Sequence, residues 1–239
     1  MLNLALTSDF PSTANQAVID RIRGSAPSPR VAWIPPLTGM GRERFPAARQ
    51  QFESYGFPAL EYCDIDEEPN EGQLARLDQY DVIYMTGGDP IAFRRNILRA
   101  GLPRRLREYL TAGRLIVAAS GGSMQLTMNV SLFRLLTEAF DEVVATRGEY
   151  EALGVVGYEL LPHLNRFEPS FVETVRRYSE RVPHDVIALA DGATVPDGHP
   201  RPRQAVECAR VDAGLTDEMH AARVERAAKR TEHGPRDDR

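Results

Sequence analysis

The chain has 239 residues, 42% of them hydrophobic, with a formal net charge of -5 and a pI of about 5.6. That length suits one full-sized domain, alone or with an appendage, and the acidic balance argues against nucleic acid as a partner. No apolar run approaches the roughly 18 residues of a membrane helix, the N-terminal MLNLALTSDF has no basic region ahead of an apolar one, and two cysteines, Cys63 and Cys208, make no disulfide scaffold. The expectation is therefore a cytoplasmic protein with no membrane partner.

Leu2–Leu6 reads as a first strand, and Ser12 or Thr13 can cap a helix running to about Ile22. Arg30–Ile34 is a second strand, followed by a helix from Arg42 to Tyr55. Ala59–Cys63 and Val82–Met85 are further strands. Pro103–Leu110 is a helix, since proline suits a first turn and Gly113 stands just past its end. Leu115–Ala119 is the next strand. Pro169 opens a helix in which Phe171, Val172, Val175 and Tyr178 share a face, and Val186–Leu189 is the last strand. Short, nearly continuous apolar strands separated by helices predict an α/β domain, a mostly parallel sheet flanked by helices on both faces, over residues 1–195. From about Pro196 bulky apolar residues thin out and charge, Pro and Ala take over. Residues 196–239 are expected to be a weakly ordered tail, with a solvated helix at Asp217–Arg230.

Sites in such sheets form at the carboxyl ends of strands. Val82–Met85 runs into Thr86-Gly87-Gly88-Asp89-Pro90. Paired glycines let the backbone turn sharply and present N–H groups outward; the plainer reading is a βα turn in which Asp89-Pro90 starts the next helix. A phosphate loop and a dinucleotide fingerprint both fail, since no Lys-Ser or Lys-Thr follows and three spaced glycines are missing. Leu115–Ala119 runs into Ser120-Gly121-Gly122. A nucleophile elbow needs small residues around its serine because strand and helix meet closely there, and a purely structural turn needs them too. Ser123 is a rival hydroxyl, but it falls inside the predicted helix.

A serine nucleophile needs a base, and the base needs an orienting acid. Of five histidines, His199, His220 and His233 lie in the tail and His184 in a loop. His163 follows the apolar stretch from Gly154 to Pro162 and reads equally well as a buried imidazole or as a base. Asp191 follows the last strand and precedes Gly192, which is also an ordinary turn dipeptide. Together they give serine, histidine and acid in chain order, each just beyond an apolar segment of one α/β sheet, with glycine turns able to supply an oxyanion hole. No histidine or cysteine spacing resembles a metal site, so neither a metal nor another cofactor is expected.

From about Leu2 to Val195 the sequence resembles the serine peptidases that include aspartyl dipeptidase (dipeptidase E) and cyanophycinase, which share a class I glutamine amidotransferase-like fold, a flavodoxin-like three-layer sandwich. The resemblance rests on Leu6-Thr7-Ser8, Ala32-Trp33-Ile34-Pro35, Tyr84 to Asp89, Leu115 to Ser123, Leu160-Leu161-Pro162-His163 and Ile187 to Gly192. It implies Ser120 as nucleophile, His163 as general base and then acid, and Asp191 as the residue that orients His163. The N–H groups of Gly121 and Gly88, with Gly87 as the less direct choice, are implied as oxyanion donors. The implied activity is hydrolysis of a small peptide or isopeptide amide. Asp89, Arg147 and Arg166 are the candidates for selecting substrate charge, and a cleft arginine would favour an acidic residue.

Three departures stand out. The elbow reads Ser-Gly-Gly-Ser where the family usually has Ser-Ala-Gly-Ala, the acid is Asp191 where Glu is usual, and charged, Pro-rich sequence replaces the family's final strands. A missing final hairpin exposes a sheet edge or calls for a partner, which makes a homodimer one expected arrangement. The alternative reading is a catalytically inactive relative that binds or regulates. A true glutamine amidotransferase would need cysteine at the elbow, and Cys63 reads instead as a small core residue.

Overall fold

The computed structural model describes residues 2–9 and 15–196. The expected cap at Ser12 or Thr13 and the readings of the tail beyond Pro196, Asp217–Arg230 among them, lie outside the described residues. In chain order the elements are β1 (Leu4–Thr7), α1 (Gln16–Ser25), β2 (Val31–Ile34), α2 (Thr38–Ser54), β3 (Leu60–Tyr62), α3 (Glu71–Leu74), β4 (Val82–Met85), α4 (Pro90–Arg99), α5 (Leu102–Thr111), β5 (Leu115–Ala119), α6 (Gly121–Met124), α7 (Phe140–Ala145), β6 (Glu159–Leu161), α8 (Pro169–Ser179), β7 (Val186–Ala188) and β8 (Thr194–Pro196).

Six strands form one sheet in the order β3-β2-β4-β5-β1-β8, parallel throughout except for antiparallel β8. The strands read as continuous apolar runs because both faces are covered. Alternate side chains go to opposite layers. On β2, Ala32 and Ile34 pack with Phe93 of α4 and Leu106 of α5, whereas Val31 and Trp33 pack with Ile19 of α1 and Phe52 of α2. The expected α/β sandwich is the fold that forms.

Two expectations need correction. The strand at Val186 does not join the main sheet. It pairs in parallel with β6, in the register Leu161↔Ala188, as a separate two-stranded sheet. The charged, Pro-rich sequence also does not begin before another strand has formed: β8 follows Asp191 and pairs with β1, in the register Thr7↔Thr194, so the β1 edge is covered.

Parallel strands end at one edge of the sheet. That edge gathers Ser8 after β1, Gly87 and Gly88 after β4, and Ser120 after β5. β6 and β7, running parallel, carry His163 and Asp191 just past their own carboxyl ends.

Candidate active site

Ser120 has φ 50° and ψ -120°. Among the described residues only Ser120 and His163 (φ 62°) are non-glycine residues with positive φ. Such conformations cost about 1–3 kcal/mol each and persist where the surroundings over-determine them. At Ser120 the surroundings are tight. Its N–H donates to the Thr7 carbonyl at 3.0 Å. A Cβ on Gly122 would lie 2.5 Å from the Met85 oxygen and 2.6 Å from the Thr86 oxygen, and one on Gly121 would overlap the Gly88 carbonyl. Both glycines are therefore required by the close crossing of α6 over the end of β4. The rival Ser123 is fully buried, its Oγ 2.9 Å from the Thr7 oxygen and 2.6 Å from the Ala118 oxygen, and it braces β1 against β5.

His163 Nε2 lies 2.8 Å from Ser120 Oγ, and Nδ1 lies 2.6 Å from Asp191 Oδ1. A carboxylate only accepts, so Nδ1 carries the proton it donates to Asp191, and Nε2 is left with a lone pair facing the serine hydroxyl. Asp191 is held from other sides as well. Arg166 Nε donates to Oδ2 at 2.6 Å, Ser8 Oγ lies 3.3 Å from Oδ1, and the Asp191 N–H donates to Asn165 Oδ1 at 2.8 Å. Partial burial pushes the Asp191 carboxyl up, but the hydrogen bonds from His163 and Arg166 outweigh it and hold it below the usual aspartate range. The His163 N–H donates to Ser8 Oγ at 2.7 Å, which pins the left-handed turn that carries the imidazole.

A cavity of about 490 Å³ opens beside Ser120 and His163. Trp33, Tyr84 and Phe52 give it aromatic lining, and the small side chains of Ala47 and Ala48 of α2 also face it. Asp9 and Arg44 bring charge to it, and burial followed by the Asp9 charge pushes the Tyr84 phenol up, so it stays neutral. Gly87 and Gly88 line the same cavity. Gly88 has φ 138°, and a Cβ there would lie 2.6 Å from both Pro36 and Met40 side chains. Its nitrogen is 3.4 Å from the position of a Cβ on Gly121, so the two backbone segments stand side by side next to the serine.

The structure separates the three charged candidates. Arg166 lines the cavity, with its Nε given to Asp191. Asp89 is a helix cap: its Oδ1 accepts from the N–H groups of Ile91 at 2.8 Å and Ala92 at 3.1 Å, and it is not among the residues lining the cavity. Arg147 is elsewhere. It pairs with buried Glu159 at 2.7 Å and donates to Tyr178 at 3.1 Å, at the start of β6 and away from His163. Sequence reading missed Ser8, Asp9, Asn165 and Arg44. Ser8 and Asp9 follow a strand end, the signal that found Ser120; nothing marked Arg44 except the small residues one turn further along α2. Cys63 is buried and free, its thiol pushed up to about 12 by burial, which fits the core role read for it.

The model of peptidase family S51 matches residues 4–196. An uncharacterised peptidase of Listeria monocytogenes is 27% identical over 167 residues, covering 69% of this chain and 79% of its own length. One from Listeria innocua is 26% identical, covering 69% and 78%. Among solved structures, a Listeria monocytogenes EGD-e protein described as a candidate peptidase E superposes with a TM-score of 0.62 at 24% identity, covering 82% of this chain and 94% of the other. A peptidase from an acI-B1 actinobacterium gives 0.59 at 20% identity, covering 80% and 81%. These structural likenesses bear on the fold, which is class I glutamine amidotransferase-like.

Proposed function

The chain belongs to peptidase family S51, and on that premise we infer that it hydrolyses a small peptide or isopeptide amide through Ser120, His163 and Asp191 by way of an acyl-enzyme. The observation that carries the reading is the unbroken hydrogen-bonded series from Ser120 Oγ to His163 at 2.8 Å and on to Asp191 at 2.6 Å, ending on a serine held in a strained turn. His163 Nε2 takes the hydroxyl proton as Oγ bonds to the substrate carbonyl carbon. The carbonyl oxygen becomes an oxyanion, which the N–H groups of Gly88 and Gly121 receive, with Gly87 backing the serine. The C–N bond then breaks and Nε2–H passes its proton to the leaving amine. Water, deprotonated by the same nitrogen, attacks the ester and releases the acid and the free serine. Asp191 keeps its charge throughout and stabilises the imidazolium.

The cavity volume is that of a small-molecule site and suits one or two residues of substrate. Arg44 lines it and has no ion-pair partner among the described residues, so an acidic substrate residue is favoured. Among the described residues no helix is long and apolar enough to cross a membrane, which is consistent with a cytoplasmic peptidase.

The test is intact-mass labelling of the full chain with a fluorophosphonate, on wild type and Ser120→Ala in parallel, followed by acidic and neutral dipeptides. A single adduct and amide hydrolysis are expected in wild type, and both should be lost in the variant. A well-folded wild type that takes no adduct would overturn the triad and leave the inactive, ligand-binding relative as the better reading.

A further inference from the structure

Ser120 follows β5 of the main sheet, whereas His163 and Asp191 follow β6 and β7 of the separate pair. Among the described residues no strand of that pair is hydrogen-bonded into the main sheet, so no backbone ladder sets the distance from imidazole to serine. The side chain that bridges the gap comes from the end of β1. Ser8 is fully buried. Its Oγ accepts the His163 N–H at 2.7 Å and lies 3.3 Å from Asp191 Oδ1 and 3.5 Å from His163 Nδ1. Because Nδ1 already carries a proton for Asp191, it cannot accept, and the Ser8 hydrogen goes to Asp191. Its own N–H donates to the Ala193 carbonyl at 3.1 Å, just past the acid. On the other side, β1 pairs with β5 in the register Thr7↔Ala119, and the Thr7 carbonyl receives the Ser120 N–H. Asp9 adds a second fastening, its Oδ1 accepting the Gly192 N–H at 2.5 Å.

We propose that Ser8 is a positioning residue that docks the His163–Asp191 pair onto the Ser120 elbow. This rests on the triad reading above. A hydroxyl is the group the place requires, since it must accept from a backbone N–H and donate to a carboxylate within one side-chain length of β1. Removing it leaves a buried N–H without an acceptor and frees the left-handed turn at His163. A displacement of about 1 Å between reacting groups costs on the order of 100-fold in rate.

The test compares wild type with Ser8→Ala and Ser8→Thr in the full chain. The readouts are the second-order rate of fluorophosphonate labelling at Ser120 and the far-downfield proton resonance of the His163 Nδ1–H. In Ser8→Ala the labelling rate is expected to fall about 10- to 100-fold and the resonance to be lost or moved upfield, with Ser8→Thr restoring both. A purely structural serine would lower the unfolding temperature and leave the resonance of the folded protein in place. Labelling of Ser8→Ala within about two-fold of wild type, with the resonance unmoved, overturns the assignment while leaving the triad standing. A wild type that does not label overturns the triad and this proposal with it. If Ser8→Ala does not fold, Ser8→Cys carries the test, because it keeps the volume with a much weaker hydrogen-bonding group; wild-type labelling there overturns the proposal as well.

Discussion

A methyl group added at position 121 would run into the Gly88 carbonyl oxygen, with the Gly88 carbon 3.2 Å away. The usual alanine of the resembling elbow therefore has no room beside Gly88 in this chain. Gly121→Ala should displace Gly88 and spread the two N–H groups proposed to receive the oxyanion. Losing one such donor costs about 100- to 1,000-fold in turnover, so hydrolysis and labelling should fall by about that much while the far-UV spectrum stays native. Labelling at the wild-type rate would mean that Gly88 yields without consequence. The short acid has a comparable local explanation. Asp191 lies 2.6 Å from His163 in a turn that Asn165 and Asp9 hold through the Asp191 and Gly192 N–H groups. Ser120 was legible because packing demands small neighbours on the chain itself. Which arginines face the cavity was legible only in part: Arg166 lines it as the sequence allowed, whereas Arg147 folds against Glu159 and Arg44, which also lines it, carried no sequence signal of its own.

Glu159 opens β6, is fully buried, and joins four elements. It takes Arg147 at 2.7 Å from the turn after α7, His184 at 2.8 Å from the loop before β7, and the Tyr178 hydroxyl of α8 at 3.0 Å. Removing a buried carboxylate leaves its cationic partner uncompensated, at a cost of about 3–5 kcal/mol. Glu159→Ala is expected to lose stability by about that amount in urea unfolding, with Ser120 still reactive in the fraction that remains folded. A loss below about 1 kcal/mol would mean the network is no more than a surface ion pair. The same residue explains why β6 was hard to read. A charge at the start of a three-residue, wholly buried strand breaks the apolar pattern from which strands are inferred. The central strands of the main sheet were legible because covering both faces makes every residue apolar. β7 was found as a strand but assigned to the wrong sheet, since apolar character reports burial and not partner.

Across the whole molecule, Asp191 ties the turns after β6 and β7 together through His163 and Arg166, and it meets the end of β1 through Ser8. Hydrogen bonds from His163 and Arg166 hold its carboxyl below the ordinary aspartate value, so the folded state binds that proton less readily than the unfolded chain. The sign follows from proton linkage. The stabilisation is complete above the unfolded value of about 3.9 and is lost as pH falls through the lower folded value. Arg166→Ala removes one of the donors that depress the carboxyl, bringing the folded and unfolded values closer. The variant should therefore be less stable than wild type at neutral pH. That difference should close as acid protonates Asp191 in both proteins. More than half of the Arg166 side chain is exposed, so added salt should also narrow the gap. Urea unfolding of both proteins from neutral pH down through the carboxylate range measures this directly. A stability gap that stays constant with pH would mean that Arg166 acts through packing and not through the Asp191 charge.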